Sequence, residues 1–179
     1  MRLVSIAPSN TEIVQGLGAE EQLVGATVLS PLDTAKVGGW TSVDCDAVED
    51  MNPDLVLPCD RLQGDAVEEL RRRGLDVLHL RPRTLEDVFD SFLEFGSCLG
   101  VPERAESLVS GFRRTLDGVD IEGRVYCEEW TEPPMASGNW VPGLVEEAGG
   151  EYLLEDGERS REVSVQEMET FDPDHIFLN

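Results

Sequence analysis

Short apolar runs, each followed by a polar and helix-like stretch, constrain the fold of this chain more than any other feature. The first run, residues 3–7, leads into Pro-Ser-Asn-Thr-Glu, where Asn10 or Thr11 can cap a helix. Further strand-like runs follow at residues 23–27, 54–57 and 77–80. Because strands that alternate with helices form parallel sheets, the sequence predicts an α/β fold.

The alternation stops between residues 84 and 118, where apolar residues recur at helical spacing without a strand signal. Gly100 interrupts this stretch, and Pro102 fits the first turn of a new helix, so we expect two helices with the second one longer. A strand at residues 123–127 and a Gly- and Pro-rich loop at 131–138 follow. The predicted parts are an N-terminal lobe (1–83), a helical linker with a backbone helix (84–118) and a C-terminal lobe (119–179).

Two segments of the chain echo each other. Residues 44–57 and 164–178 both have a polar start, a helix with spaced apolar residues, and Pro-Asp leading into a strand. Two interpretations stay open, namely convergence of common turns and two lobes built on one plan.

The charge balance is strongly acidic, with 37 Asp and Glu against 14 Lys and Arg and a net charge of −23. Such a surface repels nucleic acid and anionic membranes, so neither is an expected partner. Lys36 is the one lysine, and the acidic residues are spread along the whole chain. This pattern is typical of proteins that work in concentrated salt, where self-repulsion is screened, and it predicts a halophilic source.

The lengths of the apolar runs and the first residues of the chain bear on membrane insertion and on cellular location. None approaches the roughly 18 residues that span a bilayer, so no membrane insertion is expected. Met1 and Arg2 lead straight into the first strand without a signal peptide. The chain as given is therefore expected to be cytoplasmic, with an extracytoplasmic, membrane-associated location as the alternative if a leader was removed.

The cysteines and histidines form no recognisable metal pattern. The residues are Cys45, Cys59, Cys98, Cys127, His79 and His175, and no C-x-x-C spacing occurs among them. We therefore expect reduced thiols and no intrinsic metal or cofactor.

Several motifs in their order along the chain resemble one family. They are SIAPSNTEIV, GLGAEEQLVGAT, GGW, NPDLVLP, the long helical segment and PPMASGNWVPGLVEEAGGEYLL. This order is similar to the cobalamin- and siderophore-binding proteins of ABC importers, and most of all to their cobalamin-binding branch. The resemblance implies a fold like the class III periplasmic binding proteins, with two Rossmann-like lobes, parallel sheets, a long backbone helix and a ligand cleft between the lobes.

The resemblance also implies a C-terminal lobe that is truncated at Asn179, since family members continue beyond the second Pro-Asp strand. A shortened lobe would expose the edge of the strand at 176–178. A homodimer or a missing partner segment is therefore expected.

Candidate ligand residues follow the strand ends, because open α/β sheets bind ligands at the carboxyl edge. Pro8, Ser9, Asn10 and Thr11 follow the first strand, although Asn10 and Thr11 are also explained as helix caps. Trp40 lies in a Gly-rich loop, where stacking on a flat macrocycle competes with loop packing as its role.

The remaining candidates lie beyond the third predicted strand and in the second lobe. Cys59 and Arg61 follow Leu57. Cys59 replaces an aromatic residue of the cobalamin branch and is either an axial thiolate ligand or an inert thiol. Trp130 and Trp140 follow strand and loop segments of the second lobe, and their loops are expected to face Trp40 across the cleft if the internal repeat relates the two lobes.

Docking on an ABC permease is implied only by the resemblance, which places one acidic residue in each lobe. The matching positions are Asp46 and Gln166. Gln166 departs from the pattern, and the neighbouring Glu167 is the substitute. The alternatives are therefore docking through Asp46 and Glu167, and no docking on a permease.

The leading interpretation is non-enzymatic binding of a corrinoid, by an importer's binding protein or a cytoplasmic carrier or sensor. Ferric siderophore or haem binding is the nearest alternative, but anionic ligands favour clefts with several cations and only Arg61 is well placed. A hydrolase-like enzyme using Ser9, Cys59 and Glu12 is another alternative, for which no G-x-S-x-G, H-E-x-x-H or P-loop motif is present. The third alternative is a regulatory domain that binds no ligand.

Overall fold

The strand and helix alternation predicted from the sequence is present in the structure. The computed structural model describes residues 1–59 and 61–178. By its contacts the chain divides into two compact units. Unit 1 comprises residues 1–81 and 94–105, and unit 2 comprises residues 82–93 and 106 onward.

Unit 1 contains a four-stranded sheet with the order β3-β2-β1-β4, in which every pair is parallel. Its elements are β1 (Leu3–Ser5), α1 (Pro8–Gly16), β2 (Leu23–Ala26), β3 (Ala35–Lys36), α2 (Cys45–Asp50), β4 (Leu55–Leu57) and α3 (Gly64–Arg72). The strand predicted at 77–80 is reduced to one parallel bridge from Val77 to Val56, so that prediction is wrong beyond its first residue.

The core of unit 1 lies between the sheet and its helices. A cluster of fully buried side chains joins strands, loops and helices, and its members are Val4, Ile6, Val37, Val48, Val56 and Leu70. Because helices cover the faces of a parallel sheet, its strands read as continuous apolar runs rather than as an alternating pattern. This explains why LVSIA and LVL were recognisable in the sequence.

Two helices occupy the region without strand signals, as predicted. They are α4 (Leu85–Cys98), with 14 residues, and α5 (Pro102–Leu116), with 15 residues. At the start of α4 the Asp87 carboxylate accepts the N–H groups of Thr84 and Arg83, and the Thr84 hydroxyl accepts the N–H of Asp87. These bonds form a capping box and lower the pKa of Asp87. A Cβ on Gly96 would collide with the Ala105 side chain, so glycine permits the close approach of the two helices there.

Unit 2 contains a mixed sheet. Its elements are β5 (Arg124–Thr131), β6 (Pro134–Ala136), α6 (Val141–Glu147), β7 (Glu151–Tyr152), β8 (Arg161–Glu162), α7 (Val165–Phe171) and β9 (His175–Phe177). Strand β5 pairs in parallel with β7 and β9, whereas β6 pairs antiparallel with β5 and β8. The parallel arrangement expected from the resemblance therefore describes only part of this sheet.

The Gly- and Pro-rich loop predicted at residues 131–138 is wrong. Strand β5 continues to Thr131, and the chain returns at once as β6 in a hairpin. Pro134 is the first residue of β6, a position where a strand tolerates the missing N–H. The short strand β6 was therefore predicted as a loop because it begins with proline.

The strand predicted near the end of the sequence exists as β9, and its side chains are exposed. Ile176 and Phe177 of β9 and the following Leu178 are more than half exposed. Residue 179, where the family resemblance implied a truncation, lies outside the described residues. None of the helices found in residues 1–59 and 61–178 is long and apolar enough to cross a bilayer.

Candidate functional site

The carboxyl ends of the four parallel strands of unit 1 meet at one edge of its sheet. The chain passes from β1 to β2 on one side of β1, whereas β4 pairs with the other side. The strand order therefore reverses between β1 and β4, and this is where α/β sheets bind ligands. The segments that follow β1, β2, β3 and β4 define the candidate site, which we call the carboxyl edge of unit 1.

The Pro-Ser-Asn-Thr segment begins helix α1 rather than forming a polar loop. Pro8 occupies the first turn, and Ala7 is the N-cap without any side-chain capping bond. The interpretation of Asn10 and Thr11 as caps is therefore wrong. Proline suits this position because the first helical N–H groups have no partner within the helix. Ser9 is exposed and Pro8 half-buried at the carboxyl edge.

Asn10 and Thr11 are buried and use their polar groups within unit 1. The Asn10 amide donates to the carbonyls of Leu57 (3.3 Å) and Pro58 (2.8 Å), which joins α1 to the end of β4. The Thr11 hydroxyl lies 2.9 Å from the Ser5 hydroxyl. These two residues thus hold α1 against the strands, and Pro8 and Ser9 are the members of the segment that reach solvent.

Exposed apolar side chains at this edge were missed by the sequence analysis. Val28, Leu29 and Leu62 are 59%, 63% and 60% exposed. Val28 and Leu29 follow β2, and Leu62 lies in a 3₁₀ turn shortly after β4. In the sequence Val28 and Leu29 are indistinguishable from a continuation of the buried strand.

The other predicted residues of unit 1 lie in the same edge segments. Trp40 and Cys59 are half-buried, and Arg61 is exposed. Asp60, named with them in the sequence, lies outside the described residues. The buried side chain of Gln63, which the sequence analysis did not single out, contacts the backbone of both Trp40 and Cys59. No local signal identifies Gln63, because its partners are set by the folded chain.

The two tryptophans of unit 2 are exposed. Trp130 lies on β5 itself and not in a loop after it, and its indole N–H donates to the Glu132 carbonyl at 2.9 Å. Trp140 is the N-cap of α6. Trp130 is 62% exposed and Trp140 42% exposed. Both rings therefore present apolar area to solvent within their own unit.

The loop that carries Trp140 is fixed to two other segments of unit 2. The N–H of Gly138 donates to the Ser160 hydroxyl at 3.0 Å, and the N–H of Asn139 donates to the Glu158 carbonyl. The hydroxyl of the half-buried Tyr152 lies 2.8 Å from the Ser137 carbonyl and 3.1 Å from the Cys127 carbonyl. Hydrogen bonds to neighbouring segments of unit 2 thus hold the Trp140 loop in place.

The predicted docking residues lie at the starts of equivalent helices. Asp46 comes two residues after the N-cap Asp44, and Gln166 two residues after the N-cap Ser164. The Asp46 carboxylate is exposed and lies 2.6 Å from a guanidinium nitrogen of Arg73.

Glu167 pairs with Arg161 at 2.7 Å. The hydrogen bond from Arg161 lowers the pKa of Glu167. Gln166 and Glu167 line an open depression on unit 2, together with Leu153, Ser164, Thr170 and Phe171. Both carboxylates that the sequence offered for docking are therefore already bound to arginines of this chain.

Among residues 1–59 and 61–178, His, Cys, Asp and Glu form no cluster of three or more that could hold a metal ion. Burial raises the pKa of the thiols of Cys45, Cys98 and Cys127, which keeps them protonated at neutral pH.

Comparisons with known proteins agree on one fold. A family model described as "Periplasmic binding protein" matches residues 3–179. The chain is 28% identical to an uncharacterized ABC transporter substrate-binding lipoprotein, YvrC of Bacillus subtilis, over 72% of this chain and 43% of that protein. It is 24% identical to the Vitamin B12-binding protein of Vibrio campbellii over 99% of this chain and 70% of that protein.

Solved structures give the same result for the fold. The Vitamin B12 binding protein BtuF of Vibrio cholerae superposes with a TM-score of 0.78 at 21% identity, covering 99% of this chain and 76% of that chain. The Heme binding protein HutB of Vibrio cholerae has a TM-score of 0.81 at 20% identity, with the same two coverages. The chain thus spans less than half of one curated relative and about three quarters of these structures.

Proposed function

This chain belongs to the periplasmic binding protein family, and from that premise we propose that it binds a metal chelate, with a corrinoid as the preferred ligand. The observation that supports the proposal most directly is the set of exposed apolar residues at the carboxyl edge of unit 1. Val28, Leu29 and Leu62 lie in the segments that follow β2 and β4, and Trp40 follows β3.

Apolar side chains in these positions suit a large ligand with an apolar face. Soluble proteins seldom expose apolar residues together unless they bind something, and ligand sites are lined mainly by apolar and aromatic groups. A tryptophan ring offers about 150–250 Å² for stacking on a flat macrocycle. Trp130 and Trp140 of unit 2 are proposed as a second set of ligand contacts, because their rings are exposed and the Trp140 loop is fixed in advance.

The charges at the carboxyl edge favour a corrinoid over an anionic chelate. Arg61 is the cation in the described segments that follow the strands of unit 1. The Lys36 ammonium at the end of β3 donates to the carbonyls of Ser30 and Leu32, at 2.9 and 2.7 Å. Haem and ferric siderophores carry carboxylates or other anionic groups that arginine and lysine recognise, whereas a corrinoid ring presents amides.

The proposed compartment and partner are supported by the family rather than by the site. Relatives of this chain are named as binding proteins and as a lipoprotein of an ABC transporter. We therefore propose an extracytoplasmic, non-enzymatic role, and Asp46 as the residue of unit 1 that meets an ABC permease. Gln166 supplies no charge at the equivalent position of unit 2, so docking would depend on Glu167 or on uncharged contacts there.

Tryptophan fluorescence tests the proposed ligand. The protein in about 2 M KCl, where charge repulsion is screened, is titrated in parallel with cobalamin, cobinamide, haem and a ferric siderophore. Saturable quenching by the two corrinoids is expected, with weaker binding in Trp40→Ala. Phe112→Ala, which removes an exposed ring of α5, is the control and is expected to bind normally. Saturation by haem or siderophore alone would replace the corrinoid by that ligand, and no saturation by any of the four would overturn the proposal.

A further inference from the structure

We infer that Gln63 is a positioning residue that holds Trp40 in place for ligand contact. This inference rests on the proposed function, because it concerns the same carboxyl edge of unit 1. It adds a residue that neither touches solvent nor carries a charge, and that controls the site through the backbone of its neighbours.

The Gln63 side chain joins three segments that leave the sheet at different strands. Its amide nitrogen donates to the carbonyl of Ile6 at 2.6 Å and to the carbonyl of Trp40 at 2.8 Å. Its amide oxygen accepts the N–H of Cys59 at 2.9 Å. Gln63 is 2% exposed, so it is shielded from water, whereas its partners Trp40 and Cys59 are half-buried. Ile6 follows β1, Trp40 follows β3, and Cys59 follows β4.

The bonding pattern requires an amide at this position. Two backbone carbonyls need donors and one backbone N–H needs an acceptor, and a primary amide provides both donors and the acceptor. A glutamate of the same shape would place a carboxylate oxygen against the two carbonyls. An aliphatic residue would remove the two donors that the Ile6 and Trp40 carbonyls use and the acceptor that the Cys59 N–H uses.

The Trp40 loop needs such a support because it has little regular structure of its own. A single antiparallel bridge between Gly38 and Val43 closes it, with a hydrogen bond from Gly39 to Ser42. Trp40 lies between these closing contacts and is joined to the sheet through its carbonyl by Gln63. A ring that is already fixed loses less conformational freedom when a ligand stacks on it, so binding is tighter than to a mobile ring.

The first test reports on Trp40 without any ligand. In a chain with Trp130→Phe and Trp140→Phe, Trp40 is the one remaining tryptophan. Gln63→Glu is expected to shift its emission to longer wavelength and lower its anisotropy, because the repelled Trp40 carbonyl releases the loop. Gln22→Glu is the matched control, since Gln22 lies before β2 at the opposite edge, and it is expected to change neither quantity. Unchanged emission and anisotropy in Gln63→Glu would overturn the inference.

The second test measures coupling in ligand binding, with cobinamide as the probe. Gln63→Glu is expected to weaken binding about tenfold in the chain with all three tryptophans, as expected for loss of preorganisation. In the Trp40→Ala background the same substitution is expected to change affinity less than twofold, because the ring to be positioned is gone. Equal losses in both backgrounds would show a general structural role and would overturn the inference.

The two tests separate the inference from the proposed function. Absence of cobinamide binding to the unchanged protein would overturn corrinoid binding, while the anisotropy of Trp40 would still decide whether Gln63 positions it. If Gln63→Glu fails to fold by circular dichroism, Gln63→Met replaces it in both tests, because methionine removes the bonds without adding a charge. The expected outcomes and their interpretation are the same.

Discussion

The Asp174 carboxylate accepts a hydrogen bond from the backbone N–H of Arg124 at 2.9 Å, and the Asp174 N–H donates back to the Arg124 carbonyl at 2.8 Å. In unit 1 the same two bonds join Asp54 and Arg2, at 2.6 and 2.8 Å. In both units the aspartate follows a proline and precedes a strand. Arg2 immediately precedes β1, which pairs with β4, and Arg124 is the first residue of β5, which pairs with β9. Each aspartate therefore clamps one strand to its neighbour.

The equivalence of the two segments extends to the helices before the clamp. Asp44 caps α2 through the N–H of Ala47, and Ser164 caps α7 through the N–H of Glu167. Just after each helix, the residue before the proline has positive φ, 45° at Asn52 and 47° at Asp172. Shared caps, left-handed residues and clamps favour two units built on one plan over convergence of common turns.

Breaking the clamp of unit 2 is predicted to loosen β9. Asp174→Ala removes the acceptor for the Arg124 N–H, so faster amide hydrogen exchange is expected in peptides that contain β9. Glu169→Ala, an exposed change on α7, is the control and is expected to leave that exchange unchanged. Equal protection of β9 in both variants would contradict the clamp.

The same clamp has a defined pH dependence. The N–H and the side chain of Arg124 lower the pKa of Asp174 in the folded state. Its contribution is therefore complete above the ordinary carboxyl pKa of about 4 and is lost as the pH falls through the lowered folded value. The difference in stability between the unchanged protein and Asp174→Ala is expected to shrink in that acid range.

Most of the fold could be predicted from the sequence, and the exceptions have local causes. The strands of unit 1 were recognisable because helices bury both faces of the sheet, which makes each strand a continuous apolar run. Hairpin β5–β6 was missed because Pro133 and Pro134 resemble a loop. The strand at 77–80 was overpredicted because apolar residues there do not show whether the backbone forms more than the one bridge at Val77.

The candidate site was less predictable than the fold. The strand ends and the tryptophans pointed to the segments around Pro8 and Trp40. Open α/β sheets bind ligands at the carboxyl ends of their strands, so the order of strands and helices in the sequence indicates this edge. Val28 and Leu29 were missed because exposure is a property of the folded chain. Gln63 was missed because its bonds to Ile6 and Trp40 span 57 and 23 residues, and no local pattern records such contacts.

Removal of the Tyr152 hydroxyl is predicted to destabilise unit 2. Tyr152→Phe removes the hydroxyl that lies within hydrogen-bond distance of the Ser137 and Cys127 carbonyls, and it is expected to cost about 1 kcal/mol in the free energy of unfolding. Burial raises the pKa of Tyr152 above its ordinary value near 10. The neutral hydroxyl therefore stabilises the fold below that ordinary value, and its contribution is lost as the pH rises through the raised folded value. Thermal unfolding from about pH 7 to about pH 11 measures both effects.

Tyr126→Phe is the matched control for Tyr152→Phe. The buried Tyr126 hydroxyl has no hydrogen-bond partner among the described residues. Its removal is expected to be neutral or to stabilise unit 2, because an unsatisfied buried hydroxyl costs about 1–3 kcal/mol. Equal destabilisation by the two substitutions would show that ring packing, and not the Tyr152 hydrogen bonds, decides the result.

The exposed apolar residues after β2 are predicted to matter for binding and not for stability. Val28→Ala together with Leu29→Ala is expected to weaken cobinamide binding about tenfold, since each buried CH₂ contributes about 0.8 kcal/mol and burial by a ligand is partial. The thermal midpoint is expected to stay unchanged, because both side chains already face solvent. Val119→Ala, at an exposed valine outside the carboxyl edge, is the control. Unchanged cobinamide affinity would remove these residues from the proposed site.

Salt is predicted to stabilise this protein. A net charge of −23 produces strong self-repulsion at low salt, and the Debye length falls from about 8 Å at 0.15 M to about 3 Å at 1 M. The thermal midpoint is therefore expected to rise by about 10 °C between low salt and molar KCl, corresponding to roughly 3 kcal/mol for a chain of this size. Replacing the exposed Glu106, Glu146 and Glu147 by lysine is expected to raise the midpoint at low salt and flatten the dependence. A midpoint that does not change with KCl, or an equal slope in the lysine variant, would show that self-repulsion does not limit stability.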